Sequence, residues 1–337
     1  MKTSIRPVIM LAVLSPLTAE FLLGDQYLAG MSSAGAQVGM LISFIALYGM
    51  GALLIRELAR RLRIGWAGLL LLALAYGIFE EGLITQTLFN PHYLGHNLLA
   101  PGHIDVLGIG APWTIFVISL HVVWSICTPI AIIEAWHGRN GRPDTVPWLG
   151  RLAIVVCVII FVLGAAAIGL ISTVFASPPF LADPVQLGVV AVLAAAAVVA
   201  AVRLRGRDHG SVQASPAIIG TIVTAAIFGA VITTAFQLVD NLPDRLAWLS
   251  FAGMLVLWAI ALAFMIIRRP DPFGLAAGAV LTYGWVGFRS SLQAGTAGGI
   301  EQSLLILLFL ALLAWSGRRL LSRSEQPVRP GRTPVRG

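Results

Sequence analysis

Two adjacent glutamates, Glu80 and Glu81, lie inside the stretch 66–89, which is otherwise apolar enough to be a membrane-spanning helix. A carboxylate at the centre of a bilayer costs about 2.5 to 3.5 kcal/mol on insertion scales, so such residues face a protein interior and tend to have a role. Two neighbouring carboxylates in a low dielectric do not both ionise readily, so we expect one to hold a proton near neutral pH. With an imidazole in reach, such a pair suits general acid–base hydrolysis, and it equally suits a proton-coupled carrier.

The composition places the chain among polytopic membrane proteins. Of its 337 residues, 58% are hydrophobic and only 11% are charged, and the mean hydropathy is +0.89. We therefore predict an all-α transmembrane bundle whose partner is the lipid bilayer. The net charge of +7 does not indicate nucleic-acid binding, because the basic residues fall between apolar spans. Cys127 and Cys157 lie within such spans and are interpreted as small buried residues.

A hydrocarbon core about 30 Å thick requires about 20 mostly apolar residues per helix, and ten segments meet this requirement. They are residues 6–24, 36–56, 65–89, 111–135, 149–173, 185–203, 215–238, 246–267, 272–293 and 298–317. We predict that residues 1–321 form one integral membrane domain. Residues 322–337 are rich in Pro, Gly and Arg and are predicted to form a disordered basic tail.

The basic residues orient these spans. If the N-terminus is cytoplasmic, all but two of the 22 Lys and Arg residues fall in inner segments, the exceptions being Arg245 and Arg289. This asymmetry predicts cytoplasmic termini in a multi-pass protein of the plasma membrane, here the bacterial inner membrane. The first span could instead be a secretory signal, because Lys2 and Arg6 precede an apolar run that ends in Leu17, Thr18 and Ala19. Leu17 is a poor residue for the −3 position of a cleavage site, which favours an uncleaved helix.

Polar residues of three neighbouring spans are predicted to share one layer. A helical rise of about 1.5 Å per residue places Glu80 and Glu81 roughly 5 Å outward of the middle of the third span. By the same measure His121 lies roughly 3 Å outward in the fourth span, and Glu20 lies roughly 7 Å outward in the first. Arg289, near the outer end of the ninth span, could join them. We therefore predict a site in the outer half of the bilayer.

Helical geometry also predicts the neighbours of the two glutamates. In a regular helix Glu80 would stack with Tyr76 and Thr87, whereas Glu81 would stack with Thr85. The two carboxylates would point about 100° apart, so they would not face the same partner squarely.

Structural roles remain open for several of these residues. Glu20 could simply lie at the membrane interface, and His121 could simply form a hydrogen bond between helices. Ser125, one turn below His121, could be a small residue that lets helices pack closely. Glu57 and Glu134, near the inner ends of their spans, are interpreted as ion-paired interface residues. The Ala-, Val- and Gly-rich fifth to eighth spans and the small-residue spacing of Gly274 and Gly278 indicate helix packing.

The outer loop 90–110 directly follows the carboxylate span and carries His92, His96 and His103. A long ordered loop is often a lid or a binding loop, although a plain connector is the alternative. The spacing of His92 and His96 would suit a metal on a helix, but Pro91 and Gly95 argue against a regular helix. We predict no cofactor, and a metal held by these three histidines is the less favoured alternative.

At Glu80 and Glu81, followed by Thr85, the sequence resembles the EExxxR motif of the CAAX-protease and bacteriocin-processing family of intramembrane glutamic proteases. Thr85 stands at the arginine position, Val117 and His121 stand at the FxxxH motif, and the HxxxN motif has no counterpart. The resemblance covers residues 66–136. It implies that Glu80 activates water, that Glu81 is its partner, and that His121 is a second acid–base or oxyanion group. The whole chain also resembles uncharacterised bacterial membrane proteins with a glutamate-rich first half.

Three functions are consistent with these observations. The first is an intramembrane hydrolase that acts on a membrane-embedded peptide, with water reaching the carboxylates from the outer side. The second is a proton- or cation-coupled carrier of a small solute, since buried acids that face a cavity are usual in such pathways. The third is a membrane scaffold without catalysis, whose acids only pair with Arg289 and His121.

Overall fold

The computed structural model describes residues 4–26, 34–138, 142–206 and 219–321, so the tail predicted for residues 322–337 lies outside the described chain. The described part is almost entirely helical. Its helices are α1 (Ile5–Pro16), α2 (Ala34–Phe44), α3 (Met50–Leu62), α4 (Gly65–Phe79), α5 (Ala111–Leu120), α6 (Thr128–His137), α7 (Arg151–Thr173), α8 (Pro184–Arg203), α9 (Ile219–Asp240), α10 (Ala247–Arg268), α11 (Pro272–Ser291) and α12 (Gly295–Leu321). Four π-helical turns extend or join them, at Leu17–Phe21, Ile45–Gly49, Glu80–Ile84 and His121–Cys127.

With the π turns included, the described residues form ten long helical segments, and the all-α polytopic class is confirmed. Eight of these segments are long and apolar enough to cross a membrane. The first segment is shorter, with 12 residues in α1 and five in the turn that follows it. The other exception is α11, whose glycines, Thr282 and Tyr283 make it less apolar. The two short strands of the described chain, β1 (His103–Ile104) and β2 (Ile109–Gly110), pair antiparallel in the outer loop.

Local sequence accounts for several helix ends. The chain leaves α3 at Arg63 and α10 at Arg269, which take left-handed backbone angles with φ of 53° and 45°. At the start of α8, the carboxylate of Asp183 accepts a 2.7 Å hydrogen bond from the Val185 N–H, and Gln186 completes a capping box.

The third span is shorter than the apolar pattern predicts, because its helix ends at Ile84 rather than at residue 89. Three polar residues follow, and hydroxyl and amide side chains compete with the helical ladder for hydrogen bonds. Thr85 donates to the Glu80 carbonyl over 3.2 Å, and Gln86 takes a φ of 55° that turns the chain back. Residues 85–89 therefore lie over the end of the helix instead of extending it.

Helices α9 and α11 pack in close backbone contact. An ideal Cβ on Gly274 would lie 2.5 Å from the Ile222 carbonyl oxygen, and one on Gly278 would meet the backbone of α9 near Ala226. This arrangement agrees with the packing role predicted for the two glycines. Apolar side chains such as Val192 and Leu262 cover the outward faces of the scaffold helices. The thiols of Cys127 and Cys157 are free.

Gly278→Ala is expected to destabilise the bundle by about 1–3 kcal/mol, because its methyl group would overlap the backbone of α9, which cannot move aside like a flexible side chain. The matched control is Gly188→Ala in α8, where an added Cβ has no heavy atom within 4 Å. Thermal unfolding of both variants in detergent measures the difference. Equal midpoints for the two variants would contradict the close packing of α9 and α11.

A buried ion network joins α3 and α6 at the end of the bundle opposite the loop 90–110. Glu134 lies 2.7 Å from Arg60 and 2.9 Å from Arg56, and the side chains of Glu134 and Arg56 are each 1% exposed. Glu57 pairs with Arg61 over 2.8 Å and accepts the backbone N–H of Trp148. Both glutamates are ion-paired, as the sequence predicts, and both are buried within the protein.

The segments predicted to be cytoplasmic meet at this same end. Ser4 donates its N–H to the Trp148 carbonyl over 2.9 Å, and Arg319 donates to the Trp136 carbonyl, also over 2.9 Å. At the opposite end, the Ala182 N–H donates to Gln86 Oε1. The basic residues predict that successive loops lie at alternate ends of the bundle, and the fold agrees. Which end faces the cytoplasm stays a prediction.

Candidate functional site

The four π turns carry the polar residues of one buried cluster. A π turn is a rare interruption of an α-helix and is frequent at functional sites. The side chains that these four turns contribute to the cluster are Glu20, Tyr48, Glu80, Glu81, His121 and Ser125. Four helical segments therefore break their regular geometry where these side chains meet.

The centre of this cluster consists of Glu80, Glu81 and His121, which are 1%, 5% and 5% exposed. The imidazole Nε2 lies 2.5 Å from Glu81 Oε1 and 2.8 Å from Glu80 Oε2. One N–H cannot point at two carboxylates, and it is directed to Glu81, which leaves Glu80 Oε2 without a hydrogen bond. The three side chains offer atoms that lie within 4.8 Å of one another, close enough to share a proton or a metal ion.

The expectation that the two glutamates face different partners is wrong. Both carboxylates contact the same nitrogen of His121. The expectation assumed a regular helix, but Glu80 and Glu81 begin a π turn, in which successive side chains are rotated less about the helix axis. The opposing π turn at His121 brings the imidazole between them.

Two threonines and a tryptophan hold Glu81. Its Oε2 accepts a hydrogen bond from Thr85 over 3.2 Å and another from Thr87. The indole N–H of Trp113 in turn lies 3.4 Å from Thr87 Oγ1. Thr87 was predicted to stack with Glu80, and the turn at Gln86 is the reason that it reaches Glu81 instead.

The imidazole of His121 is fixed on its other side and on its faces. Ser125 Oγ lies 3.2 Å from Nδ1. The Tyr48 ring stacks on the imidazole at 5.8 Å with an interplanar angle of 10°, and the Tyr76 ring meets it edge-on at 5.9 Å. Glu20, on the first π turn, lies beside Tyr48, so it adjoins the cluster through this tyrosine.

The structure does not bring the remaining candidates into the cluster. Arg289 is exposed on α11, and in the described ranges it forms no ion pair with either glutamate. The loop histidines His92, His96 and His103 are exposed. Within the described chain they do not form a metal-ligating group with one another, because Tyr93–Gly95 makes a single 3₁₀ turn rather than a helix.

The outer loop is anchored beside the site. Tyr93 forms a hydrogen bond to Ser172 of α7, and burial raises the pKa of Tyr93 above its ordinary value. Gln186 of α8 donates to the Leu107 carbonyl over 2.9 Å. These contacts fix the loop against α7 and α8, next to the turn that carries Thr87.

An apolar groove of about 510 Å³ lies between the Glu80–Ile84 turn and α7. Phe79, Leu83 and Phe161 are among its lining residues. Phe161 also contacts Tyr76, with ring centroids 6.4 Å apart, and Tyr76 contacts His121. The groove is therefore separated from the imidazole by two aromatic rings.

Sequence reasoning names Tyr76 as a neighbour of Glu80 but does not find Tyr48 or Trp113 as members of the site. The available signal was weak, since tyrosine and tryptophan inside apolar spans are common packing residues. Tyr48 lies in an apolar run far from either predicted membrane interface, which was the one indication of a polar partner nearby.

Comparison with known proteins gives a family but no activity. A family model described as an uncharacterized membrane protein family matches residues 9–321. The chain belongs to this family. No curated protein and no solved structure matches the chain. The comparisons thus support the conclusion that the chain is a multi-pass protein of this membrane family. They show no relationship to the glutamic proteases beyond the short motif.

Proposed function

We propose that the protein is a membrane-embedded hydrolase in which Glu80 activates water and His121 donates a proton to the leaving group. The observation that carries this proposal is the contact of one imidazole nitrogen with two buried carboxylates, at 2.5 and 2.8 Å. A fixed imidazole beside carboxylates is a suitable arrangement for proton transfer in both directions.

The reaction would break an ester or amide bond. Glu80 takes a proton from water, and the water oxygen bonds to the carbonyl carbon. Protonated His121 gives its proton to the leaving oxygen or nitrogen as the acyl bond breaks. The proton on Glu80 then returns to His121 Nε2 across 2.8 Å, which restores the starting state.

Two features favour Glu80 over Glu81 as the group that meets water. Glu81 is occupied by Thr85, Thr87 and His121, which fixes its position. Glu80 Oε2 lacks a hydrogen bond and so keeps an acceptor site for a water proton. Glu81 therefore fixes the imidazole by accepting the hydrogen bond of its Nε2–H.

The groove beside α7 supports a substrate that arrives from the bilayer. Its lining is mostly apolar and includes Phe79, which precedes the turn that bears the glutamates, and Leu83, which lies within that turn. A membrane peptide or a lipid-modified chain lying there would need the rings of Phe161 and Tyr76 to move before its carbonyl reached Glu80. The outer loop 90–110 would then limit how much water enters the site from the outer side.

The test is hydrolysis of a panel of membrane peptides, lipid-modified peptides and acyl esters by the purified protein. We expect turnover by the natural protein and by Arg289→Gln, whose side chain is exposed and unpaired with the site. We expect His121→Gln to lose turnover. Hydrolysis of no panel member, or equal turnover by His121→Gln, would contradict the proposal.

The second candidate is a proton- or cation-coupled carrier, and the buried ion network favours it. The segments that carry Tyr48 and His121 continue into α3 and α6, which bear Arg56 and Glu134 at the other end. Ionisable groups thus occupy two layers of the same helices. Fully buried apolar residues, including Ile126 and Ile130, separate the layers, so a carrier would have to open this barrier.

Proton flux into proteoliposomes distinguishes the two candidates. Flux that depends on Glu81, and is lost in Glu81→Gln, would favour the carrier. Tight vesicles, combined with hydrolysis of a panel member, would favour the hydrolase.

A further inference from the structure

We infer that Glu80, Glu81 and His121 bind a divalent first-row transition-metal ion. The inference deepens the proposed function and changes one step of it: the ion would polarise the water used for hydrolysis, and because Nε2 would hold the ion, His121 would position it instead of donating a proton. One imidazole nitrogen and two carboxylate oxygens come from two facing π turns and lie within 4.8 Å of one another. A set of one nitrogen and several oxygens suits Zn²⁺, Mn²⁺ or Fe²⁺, whereas Mg²⁺ and Ca²⁺ prefer oxygen alone.

The charge of the cluster favours a dication. Two carboxylates face one imidazole, which supplies at most one positive charge. Within the described residues no arginine or lysine forms an ion pair with Glu80 or Glu81, and the ion network of Arg56 and Arg60 belongs to Glu134. A divalent ion would neutralise both carboxylates at a buried position, where an unbalanced charge is costly.

Tyr76 gives an independent indication of a ligand. Its hydroxyl is buried without a hydrogen-bond partner among the residues that the structure describes, and the whole residue is 5% exposed. Its ring meets the His121 imidazole edge-on, with the ring centroids 5.9 Å apart. A buried hydroxyl is normally hydrogen-bonded, so this one suits a water or hydroxide carried by an ion at Glu80.

The residues behind the three ligands have the arrangement that metal sites require. A metal-bound histidine usually engages its second ring nitrogen in a hydrogen bond, and Ser125 contacts Nδ1 of His121 over 3.2 Å. Thr85 and Thr87 both occupy Oε2 of Glu81, which leaves Oε1 directed toward Nε2. The two threonines therefore anchor Oε2, and Oε1 is the oxygen of Glu81 that would bind the ion.

The test measures bound metal in the full-length protein. The purified protein is stripped with a chelator, equilibrated separately with Zn²⁺, Mn²⁺ and Fe²⁺ under reducing conditions, passed through a desalting column, and analysed by elemental mass spectrometry. We expect about one ion of at least one of these metals per chain, and a higher thermal midpoint with that metal. Glu80→Gln and His121→Gln should each lose the bound ion. The control His96→Gln, in the exposed loop, should retain it.

Less than a tenth of an equivalent in the natural protein for every metal offered, or equal retention by a folded Glu80→Gln variant, would overturn the inference. The first result would mean that a proton rather than a metal balances the carboxylates, and the second would mean that the ion binds elsewhere in the protein. The two proposals fail separately: a bound ion without hydrolysis of any substrate contradicts only the hydrolase, and hydrolysis by metal-free protein contradicts only the metal site.

Discussion

Glu80→Gln is expected to lower turnover by about 10²–10⁴-fold, the usual contribution of a general acid–base group. The amide has nearly the same shape but cannot take a proton from water. Among the described residues Glu80 Oε2 accepts no hydrogen bond, and the imidazole 2.8 Å away keeps its hydrogen bond to Glu81, so the substitution chiefly relieves the repulsion between two buried carboxylates. The thermal midpoint should therefore stay the same or rise, which unfolding in detergent and turnover measured on the same preparation would show together.

Glu81→Gln is the matched comparison. Its carboxylate accepts hydrogen bonds from Thr85, Thr87 and His121, so the amide would lose at least one of them. We expect a lower midpoint as well as a lower rate. If Glu80→Gln were instead the more destabilising of the two, the pair would be structural, as the scaffold hypothesis holds.

The second large effect is expected far from this site, at Glu134. Glu134→Gln would leave Arg56 and Arg60 without their counter-charge at positions where the side chains are 1% and 5% exposed. Breaking a buried ion pair by removing one partner costs about 3–5 kcal/mol, because the other charge stays buried. Thermal or denaturant unfolding measures the loss.

The control for Glu134→Gln is Arg61→Gln. The Arg61 side chain is 38% exposed, and exposed pairs typically contribute less than about 1 kcal/mol. If Arg61→Gln lowered the free energy of unfolding as much as Glu134→Gln, pairing of the buried Arg56 and Arg60 charges would not be what stabilises this end of the bundle.

The fold class and the depth of the polar layer follow from the sequence because both depend on simple regularities. Apolar length fixes which segments can span a bilayer, and a constant helical rise fixes the depth of a residue along its span. That reasoning placed Glu80, Glu81, His121 and Glu20 at similar depth, and the structure brings them together around Tyr48. Their chemical roles stay a proposal.

Direction around a helix axis was harder to predict than depth. The π turns at Glu80 and His121 depend on a change of hydrogen-bond register that no residue pattern in the sequence specifies. The reversal at Gln86 likewise depends on tertiary contacts, among them its hydrogen bond to Ala182. For these reasons the common partner of the glutamates and the contact of Thr87 with Glu81 were not predicted.

The most direct test of the account is an experimental structure at a resolution that shows ordered water and ions around Glu80. A hydrolytic site requires a water molecule or an ion in contact with Glu80 Oε2, within reach of His121 and connected to the outer side or to the groove beside α7. The account predicts that density. Glutamates and histidine paired in a dry interior, with no water or ion in contact with them, would contradict it.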